Sequence, residues 1–94
     1  MSDKLLIKVL EDLKYIDAEF VADGVAKHYI ELIDDGDDSF AVAANVAGLV
    51  HLAKMFVSLA VCQVEGKHYH LDELGIVDRC DRSLIMSYKK AVWD

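Results

Sequence analysis

Two histidines and an aspartate with alternating spacing are the residues best suited to chemistry. His68, His70 and Asp72 occur in the segment KHYHLDE, and in a β-strand residues two positions apart lie on the same face. Two imidazoles with a carboxylate are typical ligands of open zinc and iron sites. The spacing therefore permits a metal- or ligand-binding domain. No fourth ligand is suggested, and such an alternation is more often solvated surface, so we expect no bound metal and no cofactor.

The other histidines, His28 and His51, are isolated in the sequence, and we interpret them as surface residues. No motif for catalysis accompanies them. Neither Cys62 nor Cys80 has an adjacent activating residue, no serine lies in a nucleophile elbow, and the sequence has no glycine-rich phosphate loop. We therefore expect a protein that is not an enzyme.

A run of acids, DDGDD at 34–38, is the second chemical feature. The region 17–38 holds eight acids and one base, which accounts for the formal net charge of -7. The run does not match a calcium loop, because Gly36 stands where an acid is needed and the glutamate at the twelfth position is missing. An acidic field repels nucleic acid and attracts basic proteins. We predict a partner-binding surface formed by Asp34, Asp35, Asp37, Asp38, His68, His70, Asp72 and Glu73.

Composition gives the expected compartment. Two cysteines without metal or redox spacing are typical of reduced thiols in the cytoplasm. The apolar stretch 5–10 is interrupted by Lys8 and lacks a cleavage site, so no secretory signal is expected. No apolar run reaches the roughly 20 residues of a membrane helix. We expect a cytoplasmic protein that binds neither nucleic acid nor a membrane.

A long helix, predicted from about 46 to 65, must position most of these residues. Asn45 is a favourable N-cap, and Gly66 can supply the left-handed residue that ends a helix. Between them one narrow polar stripe separates two apolar flanks, so the helix is expected to be buried on two sides. Leu52 and Phe56 are predicted to face a sheet, and the flank with Val57 and Val61 is predicted to face the first helix or a second subunit.

The remaining elements follow from spacing and turn signals. Leu6, Val9, Leu10, Leu13 and Ile16 predict an amphipathic N-terminal helix. Asp23-Gly24 between AEFVA and VAKHYIELI predicts a hairpin, but the apolar residues of 18–33 also fit one face of a helix, so both alternatives stay open. Strands are predicted at SFAVAA, KHYHLDE and SLIMSYKKAVW, with LGIVDRCDR as a loop. At 94 residues the chain is expected to be a single α+β domain. A small antiparallel or mixed sheet would pack against the long helix.

The second half of the sequence resembles the bacterial toxin-immunity domains of the immunity protein 32 family. The resemblance covers residues 28–93 and rests on a strand ending in Asn, a Gly-Leu and Leu-Ala helix, a His-x-His-Leu segment and a final apolar strand. Residues 1–27 would form an N-terminal extension. The matching positions are Asn45, Gly48, Leu49, Leu52, Ala53, Leu59, Ala60, His68, His70, Leu71, Asp72, Leu84 and Ile85.

The resemblance implies an α+β fold, a strand rather than a helix at HYIELI, and a non-enzyme. Such a protein would bind and neutralise a cognate bacterial toxin, and a basic nuclease is one kind of toxin that the acidic charge would attract. The alternative is a small metal- or ligand-binding domain that uses His68, His70 and Asp72. A homodimer formed through the second apolar flank of the long helix is a further alternative.

Overall fold

The computed structural model describes residues 3–22, 27–72 and 75–90. The elements, in chain order, are α1 Asp3–Glu19, β1 Ile30–Asp34, β2 Phe40–Ala44, α2 Val46–Cys62, β3 His68–Leu71, β4 Arg79–Cys80 and β5 Leu84–Ser87. One sheet has the order β2-β1-β4, and β3 and β5 form a separate antiparallel pair. Strand β1 pairs antiparallel with β2 and parallel with β4. The predicted α+β class is confirmed, with two helices and a small mixed sheet.

Helix α2 begins where the sequence predicts. The Asn45 side-chain oxygen accepts a hydrogen bond from the Gly48 N–H at 2.8 Å, which satisfies one of the free donors of the first turn. The helix ends at Cys62, however, and not at 65. Gln63 adopts the left-handed conformation (φ 52°), and its N–H donates to the Leu59 carbonyl at 3.1 Å. The helix is therefore slightly shorter than predicted, because Gln63 and not Gly66 adopts the left-handed conformation that ends it.

The start of α2 also lies directly against the chain that enters β1. Asn45 exchanges hydrogen bonds with Tyr29, accepting from its N–H through the side chain and donating to its carbonyl from the backbone, both at 3.0 Å. At Gly48 an added Cβ would lie 2.7 Å from the Tyr29 carbonyl oxygen and 2.9 Å from the Ile30 side chain. Only glycine permits this close approach.

The core lies between α2 and the two sheets. Its buried residues are Ile30, Leu32, Leu52, Leu59, Leu71, Val77 and Met86. Helix α1 packs along α2. The prediction that Leu52 is buried is confirmed, since it is 7% exposed. The prediction for Phe56 was wrong, since it is 55% exposed, and Leu49 on the same flank is 53% exposed. The sheet is too narrow to cover this flank, because it ends at β2, an edge strand that is itself largely exposed.

The structure decides part of the choice between hairpin and helix that the sequence left open for 18–33. Residues 18 and 19 complete α1 and residues 20–22 form a turn, so the first strand of the hairpin alternative is absent from 18–22. The side chain of Asp17 is fixed against α2, so the chain stays helical to Glu19. The Asp23-Gly24 turn lies outside the described residues. The strand expected at HYIELI is confirmed from Ile30 onward.

Strand β4 lies within the segment predicted to be a loop. It has only two residues, but the aspartates at either end extend its pairing with β1. The backbone N–H groups of Asp78 and Asp81 donate to the carbonyls of Ile30 and Leu32, each at 2.9 Å. Their carboxylates accept from the N–H groups of Ile30 and Asp34 at 2.9 and 3.1 Å. Side chains thus replace the backbone acceptors of a longer strand.

Strand β5 confirms the start of the predicted last strand but ends at Ser87, and Trp93 lies outside the described residues. Among the residues that are described, no helix is long and apolar enough to cross a membrane.

Candidate functional site

The most enclosed polar side chains surround Asp17, in the last turn of α1. The Lys54 ammonium donates to Asp17 Oδ2 at 2.7 Å. His51 Nδ1 lies 3.0 Å from Oδ2 and 3.2 Å from Oδ1, and His28 Nε2 lies 3.1 Å from Oδ1. The two imidazole rings are adjacent, with centroids 4.5 Å apart. We call Asp17, His28, His51 and Lys54 the Asp17 cluster.

The Asp17 cluster holds a buried negative charge. The side chains of Asp17 and His28 are each 9% exposed. Burial raises the pKa of Asp17, but hydrogen bonds from Lys54, then His51 and His28, outweigh that effect and lower the pKa from 3.8 to about 2. Asp17 is therefore a carboxylate at neutral pH, and its three partners tie α1 to α2 and to the chain preceding β1.

The interpretation of His28 and His51 as isolated surface residues was wrong. They lie 11 and 34 positions from Asp17 in the sequence, so no local spacing connects them. The sequence does contain a weaker signal that Asp17 is buried against polar partners. Asp17 continues the helical spacing of Leu6, Leu10 and Leu13, and an acid within an apolar stripe requires a buried cationic or hydrogen-bonding partner.

A cavity of about 510 Å³ borders the Asp17 cluster and is lined by Lys14, His51, Lys54, Met55, Ser58 and Tyr69. The hydroxyl groups of Ser58 and Tyr69 lie 3.1 Å apart and form a hydrogen bond between α2 and β3. The cavity gives solvent access to the cluster on the side of His51 and Lys54.

In the acidic loop between β1 and β2, two of the four aspartates serve the loop itself. Asp34 forms an ion pair with Arg82 and accepts a hydrogen bond from the Gly36 N–H at 3.1 Å. Asp35 accepts from the Ser39 hydroxyl and from the Asp37 N–H. The Ser39 hydroxyl, together with the Asp37 N–H, lowers the pKa of Asp35. Asp34 and Asp35 therefore stabilise the turn.

The other two loop aspartates remain available to a partner. Asp37 and Asp38 are exposed, and Asp38 adopts a left-handed conformation (φ 63°). Neither carboxylate forms a hydrogen bond or ion pair with any residue that the structure describes. Asp37 and Asp38 thus differ from Asp34 and Asp35 in having no internal partner among the described residues, and the partner-binding surface of all four stays a prediction.

The predicted His68 group is only partly assembled. His68 and His70 lie on the exposed face of β3 with ring centroids 4.8 Å apart, and His68 Nδ1 donates to the Gly66 carbonyl at 2.8 Å. Within the described ranges, Asp72 does not join them in a three-donor group. Glu73 lies outside those ranges. The histidines form a surface pair, and the metal- or ligand-binding alternative that their spacing permits stays untested.

An apolar groove of about 350 Å³ follows the exposed flank of α2. It is lined by Val42, Leu49, Leu52, Ala53, Phe56, Leu71 and Leu84. Phe40 and Val42 alternate onto the same face of β2, so Phe40 continues the groove toward the acidic loop. Phe40 also lines a cavity at the loop together with Asp34, Asp38 and Arg82. The groove and the acidic loop therefore form one continuous surface.

Comparison of the chain with models of protein families, with curated protein sequences and with solved structures yields no match. The resemblance to the immunity protein 32 family therefore stays a prediction.

Proposed function

We propose that this chain is an immunity-type protein, a non-enzymatic inhibitor that binds a basic toxin domain by direct protein contact. The observation that carries the proposal is the apolar groove beside α2, which continues into a loop with two unpaired carboxylates. In this proposal the protein acts in the cytoplasm of the cell it protects. It needs no reaction of its own, because covering the toxin is sufficient to inhibit it.

The groove supplies the apolar centre of such an interface. Phe56, Leu49 and Val42 are 55, 53 and 44% exposed, although they adjoin buried core residues. Burying a large apolar side chain contributes about 1.5 to 3 kcal/mol, and aromatic residues in central pockets dominate many interfaces. Phe56 is therefore the expected anchor, contacted by an apolar segment of the partner.

The acidic loop supplies the polar rim and selects the charge of the partner. Asp37 and Asp38 have no internal partners in the described part of the chain, so a partner does not need to break existing ion pairs to reach them. In a molecule of formal net charge -7, these carboxylates would attract a basic domain and raise its association rate. A second copy of this acidic chain would be repelled at the same loop.

The test uses the C-terminal domain encoded by the reading frame immediately upstream, where a cognate toxin is expected. Association and dissociation rates are measured at low and high salt for the wild type, Asp37→Asn/Asp38→Asn and Phe56→Ala. The double variant should associate more slowly and show a flatter salt dependence, because screening acts on the charges that have been removed. Phe56→Ala should mainly raise the dissociation rate, since apolar anchoring is lost after contact.

The charge-matched control is Asp3→Asn/Glu11→Gln, which removes two exposed acids from α1 and should leave the association rate closer to that of the wild type. Identical salt slopes for the wild type and Asp37→Asn/Asp38→Asn would exclude the acidic loop from the interface. Sedimentation across a concentration series gives the other decisive outcome. A dimer that is lost in Phe56→Ala would assign the groove to a second copy of this chain and overturn the proposal.

A further inference from the structure

The Asp17 cluster contains two histidines and an aspartate, the same set of metal ligands that the sequence suggested at His68, His70 and Asp72. One ligand atom each from Asp17, His28 and His51 lies within 4.8 Å of the others. Asp17 Oδ1 is 3.1 Å from His28 Nε2 and 3.2 Å from His51 Nδ1. In a tetrahedral site with bonds of about 2.1 Å the donor atoms are about 3.4 Å apart. A metal ion therefore requires the two imidazoles to move slightly away from the carboxylate and their ligand nitrogens, which lie within 4.8 Å of each other, to come to about 3.4 Å.

The remaining carboxylate oxygen is already held by a second partner. Lys54 donates to Asp17 Oδ2 at 2.7 Å, and His51 Nδ1 also lies 3.0 Å from that oxygen. Oδ1 lies within 3.2 Å of a nitrogen of each histidine. Ligating carboxylates are commonly oriented by an outer hydrogen bond such as that of Lys54. Oδ1 is thus the oxygen that both histidines share.

Burial and the dipole at the end of α1 also favour a cation, beside the one positive charge that Lys54 already supplies. The histidine side chains are 9 and 17% exposed, so solvent competes little for their nitrogens. The last turn of α1 contains no basic residue, and the carboxyl end of a helix carries partial negative charge. Nitrogen donors with a single carboxylate fit Zn²⁺ better than Ca²⁺ or Mg²⁺, which prefer oxygen ligands.

We propose that Asp17, His28 and His51 bind one Zn²⁺ ion, with Lys54 as the outer partner of the carboxylate. The bordering cavity of about 510 Å³ provides the entry path and room for a water molecule as the fourth ligand. The ion joins α1, the chain preceding β1 and α2 at one point. It therefore stabilises the packing of the helices, independently of the partner-binding groove.

The test uses the full chain, purified without a histidine tag and freed of metal with a chelator. Calorimetric titration with Zn²⁺ should give one ion per chain for the wild type, and Zn²⁺ but not Mg²⁺ should raise the melting temperature. His28→Gln and His51→Gln should each weaken Zn²⁺ binding at least about 100-fold, since outer-shell losses alone cost about 10- to 100-fold. Glutamine preserves a hydrogen bond to Asp17, and circular dichroism confirms that each variant is folded.

The matched control is His68→Gln/His70→Gln, which removes two histidines from the surface pair and should bind Zn²⁺ as the wild type does. The proposal is overturned if the wild type does not bind Zn²⁺. It is also overturned if both cluster variants still bind the ion, or if the control no longer does. Co²⁺ gives a readout that needs no variant. The Co²⁺-loaded wild type should show the intense visible absorption of tetrahedral coordination by nitrogen and oxygen, and a thiolate charge-transfer band would instead place the ion at a cysteine.

Discussion

Alanine substitutions at Leu52 and Phe56 distinguish the buried from the exposed flank of α2. Leu52 is 7% exposed and belongs to the core, so Leu52→Ala should lower the free energy of unfolding by about 3 kcal/mol, within the range of about 2 to 5 for such truncations. Replacing a fully buried phenylalanine by alanine costs about 3 to 5 kcal/mol. Phe56 is 55% exposed, and scaling by the covered fraction gives about 1.5 to 2 kcal/mol. The burial of Phe56 against a sheet that the sequence predicted would have given the full cost.

The measurement is urea denaturation followed by far-ultraviolet circular dichroism, with equal m-values required for a direct comparison. Ser58→Ala on the polar stripe is the control. It removes one partly buried hydrogen bond to Tyr69 and should cost no more than about 1 kcal/mol. If Phe56→Ala lowers the free energy of unfolding as much as Leu52→Ala does, then Phe56 is covered in solution. The groove would then be part of the core or of a dimer and not a free docking surface.

Two further predictions concern the cluster and the close approach at Gly48. In metal-free protein, the folded pKa of Asp17 lies below its usual value of 3.8, at about 2. The Asp17 carboxylate therefore contributes about 2 kcal/mol to the free energy of unfolding above pH 4, and this contribution is lost as the pH falls toward 2. Urea denaturation between pH 2 and 5 should show this loss for the wild type but not for Asp17→Asn. Gly48→Ala should lower stability by about 1 to 2 kcal/mol despite the better helix propensity of alanine, because its Cβ would lie 2.7 Å from the Tyr29 carbonyl. In urea denaturation of both variants, Gly75→Ala should be nearly neutral, because the nearest atom to its added Cβ lies at 3.8 Å.

Local signals predicted the elements of this fold well. Asn45 marks the start of α2 because capping involves neighbours within one turn, and the apolar spacing around Leu10 predicts α1 because a helix face repeats locally. The end of α2 was missed because Gln63 adopts a conformation that is unusual for its type. Strand β4 was missed because two residues carry no periodicity, and the pairing depends on the side chains of Asp78 and Asp81.

The candidate sites were harder to predict because they depend on contacts between distant segments. Periodicity showed that Phe56 lies on an apolar face, but it could not show whether the sheet is wide enough to cover that face. His28 and His51 gained a role only when α1 brought Asp17 between them. Spacing did place His68 and His70 on one face, yet a shared face does not make a metal site without a third donor at the right distance.

The pairing of β1 with β4 affects the order in which the chain folds. Strands β1 and β2 are joined by a short loop, whereas Ile30 and Asp78 are separated by 48 positions. Closing a loop of that length costs roughly 3 kcal/mol in chain entropy, so the β1–β2 hairpin is expected to form first and β4 to be added late. Until then one edge of β1 is exposed and can pair with another chain. Asp78 and Asp81 later complete that edge, because their carboxylates accept from the N–H groups of Ile30 and Asp34 that would otherwise stay open to another chain.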